Sequence, residues 1–107
     1  MQSRFKYRFT SLAASDIEET LDYISVELAN PTAARALFAK IEKAIDDICI
    51  FPFGFSDCKC FLISDRNIRH IQVDNYVIIY EVKEQIGEIH ILRFRYSMMD
   101  LKKMKLN

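Results

Sequence analysis

The residues best equipped for chemistry lie toward the C-terminal end, where "IHILRFRYSMMD" brings Arg93, Arg95 and Tyr96 together and "DRNIRHIQV" contributes Arg66 and Arg69, with Lys59 upstream. Clustered guanidinium groups hold phosphate oxygens two at a time and stabilise the extra charge of a phosphoryl-transfer transition state without a metal. A tyrosine beside them can stack on a base or relay a proton. The same arginines could equally form ordinary surface ion pairs with Asp65, Glu88 and Asp100, and spacing alone favours that arrangement.

Other chemistries find little support. The only glycines are Gly54 and Gly87, so there is no glycine-rich phosphate loop, and no His-x-x-x-His pair or serine nucleophile elbow is present. His70 and His90 are isolated, and neither metal nor cofactor is expected. Cys49, Cys58 and Cys60 are an odd number, and Cys58-Lys59-Cys60 lacks the two-residue gap of a zinc site, which points to reduced thiols.

A chain of 107 residues, half of them hydrophobic and 28% charged, is expected to form one globular domain over residues 1–107. Fifteen basic residues balance fifteen acidic ones, which argues against coating nucleic acid through net charge. Arg4, Lys6 and Arg8 interrupt any apolar leader and no later run would span a bilayer, so a cytoplasmic protein with no membrane partner is expected.

These groups must be positioned by the elements around them. Phe5, Tyr7 and Phe9 alternate with Arg4, Lys6, Arg8 and Thr10, the period of a half-buried strand. Thr10 or Ser11 can cap a helix whose stripe is Ala14, Ile17, Leu21, Ile24 and Leu28. Asn30-Pro31 starts a second helix with the stripe Ala34, Leu37, Phe38, Ile41, Ala44, Ile45 and Ile48, ended by Phe51-Pro52-Phe53-Gly54. Residues 55–66 read as loop with a short strand at Cys60–Ile63.

Strands follow at Arg69–Val73, Tyr76–Val82 and Glu88–Tyr96, joined by turns at Asp74-Asn75 and Gln85-Ile86-Gly87, with a charged amphipathic helix or tail from Met98 to Asn107. Strict alternation would place Ile89, Ile91, Arg93 and Arg95 on one face and His90, Leu92, Phe94 and Tyr96 on the other. Arg66, Arg69, Arg93, Arg95 and Lys59 would then cluster near one end of the sheet, with Arg93 exposed. The expected fold is α+β, a two-layer βααβββ domain with an antiparallel sheet against a helical hairpin.

Four segments in order resemble the RelE/ParE superfamily of bacterial toxins. "YRFTSLAASDIEETLDYI" is similar to its opening strand and helix with Ala-x-x-Asp-Ile/Leu. "NPTAARALFAKIEKAIDDICIFPFG" is similar to its second helix ending in Pro-x-Gly, "RHIQVDNYVIIYEV" to its central hairpin, and "IHILRFRYSMMD" to its closing strand.

The resemblance implies a cognate antitoxin partner, a toxin–antitoxin hetero-oligomer, and growth inhibition by one of two routes. RelE-like members cut mRNA on the ribosome without metal, a reaction for which Arg69, Arg93 and Tyr96 would be the catalytic residues here. ParE-like members poison DNA gyrase and are not nucleases. In either case Lys59, Arg66 and Arg95 would contact the target or nucleic acid. Arg69, Tyr76, Tyr80, Arg93, Tyr96 and Asp100 occupy recurring family positions, with Tyr76 and Tyr80 read as packing residues. Met98-Met99 departs from the pair of basic residues many relatives carry before the aspartate. That loss, with the zero net charge, tilts the expectation toward the gyrase-directed branch, and the antitoxin is expected to be short and acidic or of mixed charge.

Overall fold

The computed structural model describes residues 4–54, 56–57 and 67–96. Lys59, Arg66, the strand expected at Cys60–Ile63, Cys58 and Cys60, and the tail from Met98 with Asp100 all lie outside the described residues.

Strand β1 (Lys6–Phe9) leads into helix α1 (Ser11–Asp22), and helix α2 (Pro31–Ile50) follows. The remaining strands are β2 (Ser56–Asp57), β3 (Ile68–Val73), β4 (Tyr76–Lys83) and β5 (Glu88–Arg95). The local reasons are those read from the residues. The Thr10 side chain accepts from the Ala13 N–H to cap α1, and the Asn30 side chain accepts from the Ala33 N–H to cap α2 with Pro31 in its first turn.

The first helical stripe extends beyond the α-helix. At Tyr23–Glu27 the backbone loosens into one π turn, in which the Leu28 N–H donates to the Tyr23 carbonyl. Ala29, with φ of 49°, then reverses the chain.

The strand order is β1-β5-β4-β3-β2. The β3-β4-β5 meander is antiparallel, as is the short β2 against β3, whereas β1 pairs parallel with β5. The sheet is therefore mixed rather than wholly antiparallel. With β2 running antiparallel to β3 ahead of the meander, β3 and β5 run in the same direction as β1, which lies beside β5 at the sheet edge.

One core lies between the helices and the sheet. It joins Ala13, Ile17, Leu37, Ile41, Ile45 and Ile48 from the helices to Ile78, Tyr80, Val82, Ile89, Ile91 and Phe94 from the strands. Val77, Ile79, Ile68 and Leu92 are also buried but do not belong to that cluster. The half-buried character expected of the first strand is not observed: β1 is exposed along its length, because it is the edge strand and its rings overhang a groove that the helices leave open.

Candidate functional site

The closing strand departs from simple alternation. Ile79 pairs with Arg93 while the next residue of β4, Tyr80, pairs with Ile91, so β5 holds one extra residue, Leu92. Such a bulge reverses which face the following side chains occupy. Ile91 and Phe94 therefore both join the helix-facing core, whereas Arg93 and Arg95 are registered opposite Ile79 and Val77. The anticipated grouping of Ile89 and Ile91 with Arg93 and Arg95 is overturned at Leu92.

Two residues near the start of the chain fix this irregular end. Thr10 donates its backbone N–H to the Ile91 carbonyl and its hydroxyl to the Leu92 carbonyl, both at 3.0 Å, while it caps α1. Past Ile91, β5 has no pairing with β1 on that side, and α1 takes its place. Asp16 accepts from Arg93 Nε at 2.7 Å, from Arg93 Nη2 at 3.2 Å and from the Phe94 N–H at 3.1 Å. The side chains of Arg93 and Asp16 are only 14% and 11% exposed. The hydrogen bond to Asp16 also raises the Arg93 pKa, opposing the desolvation that would lower it. Arg93 is thus an anchored group, not the exposed cation the alternation implied.

Arg69 lies elsewhere. Its register partner is Tyr80, a core residue on the helix-facing side, so it does not share a face with Arg93 and Arg95. Its Nε donates to Asn67 Oδ1 at 3.0 Å, its Nη1 donates to the Phe53 carbonyl at 3.4 Å, and its guanidinium lies 5.2 Å from the centre of the Phe53 ring. The expected arginine cluster is accordingly split by the pleat of the sheet.

The aromatic residues do assemble. Phe94 stacks on Tyr76 with ring centres 5.0 Å apart, and Tyr96 meets the same ring edge-on at 5.3 Å. Burial, then the neighbouring tyrosines Tyr96 and Tyr23 and the Asp74 carboxylate, push the Tyr76 phenol above its ordinary pKa and keep it neutral. Tyr80 is fully buried and donates its hydroxyl to the Pro52 carbonyl at 2.8 Å, which makes it a packing residue. Tyr96 is exposed at the mouth of a cavity of about 580 Å³ whose lining includes Asp16, Glu19, Tyr23, Tyr76 and Arg95.

Asp16 is the residue that reading the closing strand missed. Its signal was the Ala-x-x-Asp-Ile spacing of Ala13, Asp16 and Ile17, which sets a carboxylate between two buried apolar residues. Among the described residues no group of three or more His, Cys, Asp or Glu could hold a metal ion. No described helix is long and apolar enough to cross a membrane.

The helical hairpin over a mixed sheet, with a closing strand tied to the first helix, defines an α+β domain of the kind found in toxin–antitoxin complexes. A chain of the chromosomal ParDE toxin–antitoxin system from P. aeruginosa is similar over 88% of this chain and 97% of that one, at 20% identity and a TM-score of 0.71. A chain of the RelBE2 toxin–antitoxin complex from Mycobacterium tuberculosis is similar over 88% and 99%, at 18% identity and a TM-score of 0.60. No curated protein gives a significant sequence match. Residues 7–101 match the model of the ParE toxin of the type II toxin–antitoxin system parDE, and the chain belongs to that family.

Proposed function

We propose that this protein is the growth-inhibiting toxin of a type II toxin–antitoxin module, kept in check by a cognate antitoxin in the cytoplasm, and that it acts on DNA gyrase rather than on mRNA. The family match and the likeness to chains from two toxin–antitoxin complexes support the first part. The choice of target is carried by the engagement of Arg93 with Asp16. Cleaving RNA without a metal needs a base for the 2′-hydroxyl, an acid for the leaving oxygen and cations for the developing charge. Arg93 is held by a carboxylate and Arg69 lies on another face. Among the described candidates, Arg95 and Tyr96 then remain together at the cavity, one cation and one hydroxyl where base, acid and several cations are needed.

The experiment is to add the purified chain to gyrase supercoiling reactions and, separately, to translating ribosomes carrying a defined mRNA. Loss of supercoiling with intact mRNA is expected. Ribosome-dependent cuts that vanish in Tyr96→Phe would replace this reading with the ribonuclease one, in which Arg95, Lys59 and Arg66 would supply the cations.

A further inference from the structure

The helical hairpin ends in an apolar corner that the core does not use. At the π turn and just beyond it, Tyr23, Val26 and Leu28 stand 56%, 70% and 55% exposed. Tyr96, 62% exposed, shares with Tyr23 the cavity of about 580 Å³ described above. A second depression of about 500 Å³ adjoins it, because Glu19 and Tyr23 line both, and Asp22, Val26 and Glu27 complete its wall. Large side chains left in water at one corner form a contiguous patch, not the scattered exposure normal for a surface.

The backbone under this patch is irregular twice over. The π turn spans Tyr23–Glu27, and two residues later Ala29 holds a left-handed φ of 49° without glycine's freedom. Both irregularities cost stability, and both are concentrated in proteins where a surface has work to do.

The charge around the patch is mostly of one sign. Glu19, Asp22 and Glu27 are exposed and form no ion pair among the described residues. Asp16, Asp46 and Asp47, by contrast, are each matched by a cation. Arg95 is the one described lysine or arginine that lines either depression. Tyrosine rings beside unpaired carboxylates suit an arginine or lysine from outside, since the ring face and the carboxylate attract the same charge.

We propose that this corner, Glu19 to Leu28 together with Tyr96, is the surface by which the toxin holds gyrase, taking arginine and lysine side chains of a basic patch against Tyr23, Tyr96 and the three carboxylates. The identity of the partner rests on the gyrase reading above, but the charge that the partner must present follows from this corner alone. An enzyme that handles DNA carries such patches, because holding a polyanion requires them.

The test uses the purified chain, immobilised, and intact gyrase, with binding read by biolayer interferometry and supercoiling inhibition read alongside. Combining Glu19→Lys, Asp22→Lys and Glu27→Lys is expected to weaken binding about tenfold or more and to raise the half-inhibitory concentration in step. Tyr23→Ala should weaken binding about fivefold. Glu84→Lys, an equally exposed change of charge in the turn before β5, should alter neither readout. Circular dichroism spectra should match throughout. If the reversed variant does not fold, Glu19→Gln with Asp22→Asn and Glu27→Gln carries the same comparison. Wild-type affinity should also fall as salt rises from about 50 to 200 mM, and that fall should be smaller in the neutralised variant.

Unchanged binding in the charge variants, an equal loss in Glu84→Lys, or indifference to Tyr23→Ala would each overturn the proposal while wild-type inhibition keeps the gyrase reading. A dimer of the isolated chain that dissociates in the charge-reversed variant would also overturn it, since the corner would then serve a second copy. Failure of the wild-type chain to bind or inhibit gyrase would remove the gyrase reading and this surface with it.

Discussion

Arg93 and Asp16, 77 residues apart in the chain, form a two-point ion pair that ties the last strand of the sheet to the first helix. Because the carboxylate also accepts the Phe94 N–H, removing it would leave a largely buried guanidinium and a backbone donor unpaired together. Asp16→Ala is expected to cost about 2–4 kcal/mol, and Arg93→Ala a similar amount. Urea unfolding of the two single variants and the double variant measures the coupling, and the double variant should lose less than the sum. Any relief of growth arrest by Arg93→Ala should then track lost folding, visible as reduced soluble protein.

Thr10 serves both elements it joins, since its hydroxyl accepts from the Ala13 N–H and donates to the Leu92 carbonyl. Thr10→Ala loses both bonds and should destabilise by about 1–2 kcal/mol, whereas Thr10→Ser should recover most of the loss. Chemical denaturation of the three proteins reads the difference, and equal midpoints for Ala and Ser would show that the hydroxyl is not what matters.

Tyr80 places a hydroxyl in the core, where it donates to the Pro52 carbonyl at 2.8 Å in the turn after α2. Tyr80→Phe keeps the ring and leaves that carbonyl without the hydroxyl, at a cost of about 1–2 kcal/mol. Faster amide exchange in the turn at residues 51–54 should accompany the loss.

Burial lowers the pKa of His70 below its ordinary 6.5, and its buried Nδ1 has no hydrogen-bond partner among the described residues. A histidine held neutral in the folded state contributes stability that is fully present above pH 6.5 and is lost as the pH falls through its folded value. Urea midpoints should therefore drop on acidification from pH 7.5 toward 5.5, and the drop should be smaller in His70→Gln. Identical slopes would assign the acid sensitivity to other groups.

The sequence by itself determined the elements and their order except for β2, since Ser56–Asp57 falls in a stretch read as loop. Alternation marked β1, the three-and-four spacing marked both helices, Asn30-Pro31 marked the start of α2, and the turn residues at 74–75 and 85–87 separated the meander strands. These are contacts between near neighbours, and local residue types encode them. The RelE/ParE character was legible for the same reason, because it is carried by short motifs in a fixed order.

Only the tertiary structure decided the site. The parallel pairing of β1 with β5 joins residues more than 80 positions apart, and nothing local encodes it. Leu92 looks like any other strand residue, yet its bulge turns Phe94 into the core and sets Arg93 on the other face. Whether an arginine is a free cation or half of an ion pair depends on what lies within about 4 Å of its guanidinium. For Arg93 that neighbour is Asp16, delivered by a helix folded from the opposite end of the chain. Period-two spacing likewise placed Tyr7 and Phe9 on one side of a strand, but their position at sheet edge and groove mouth is what leaves them exposed.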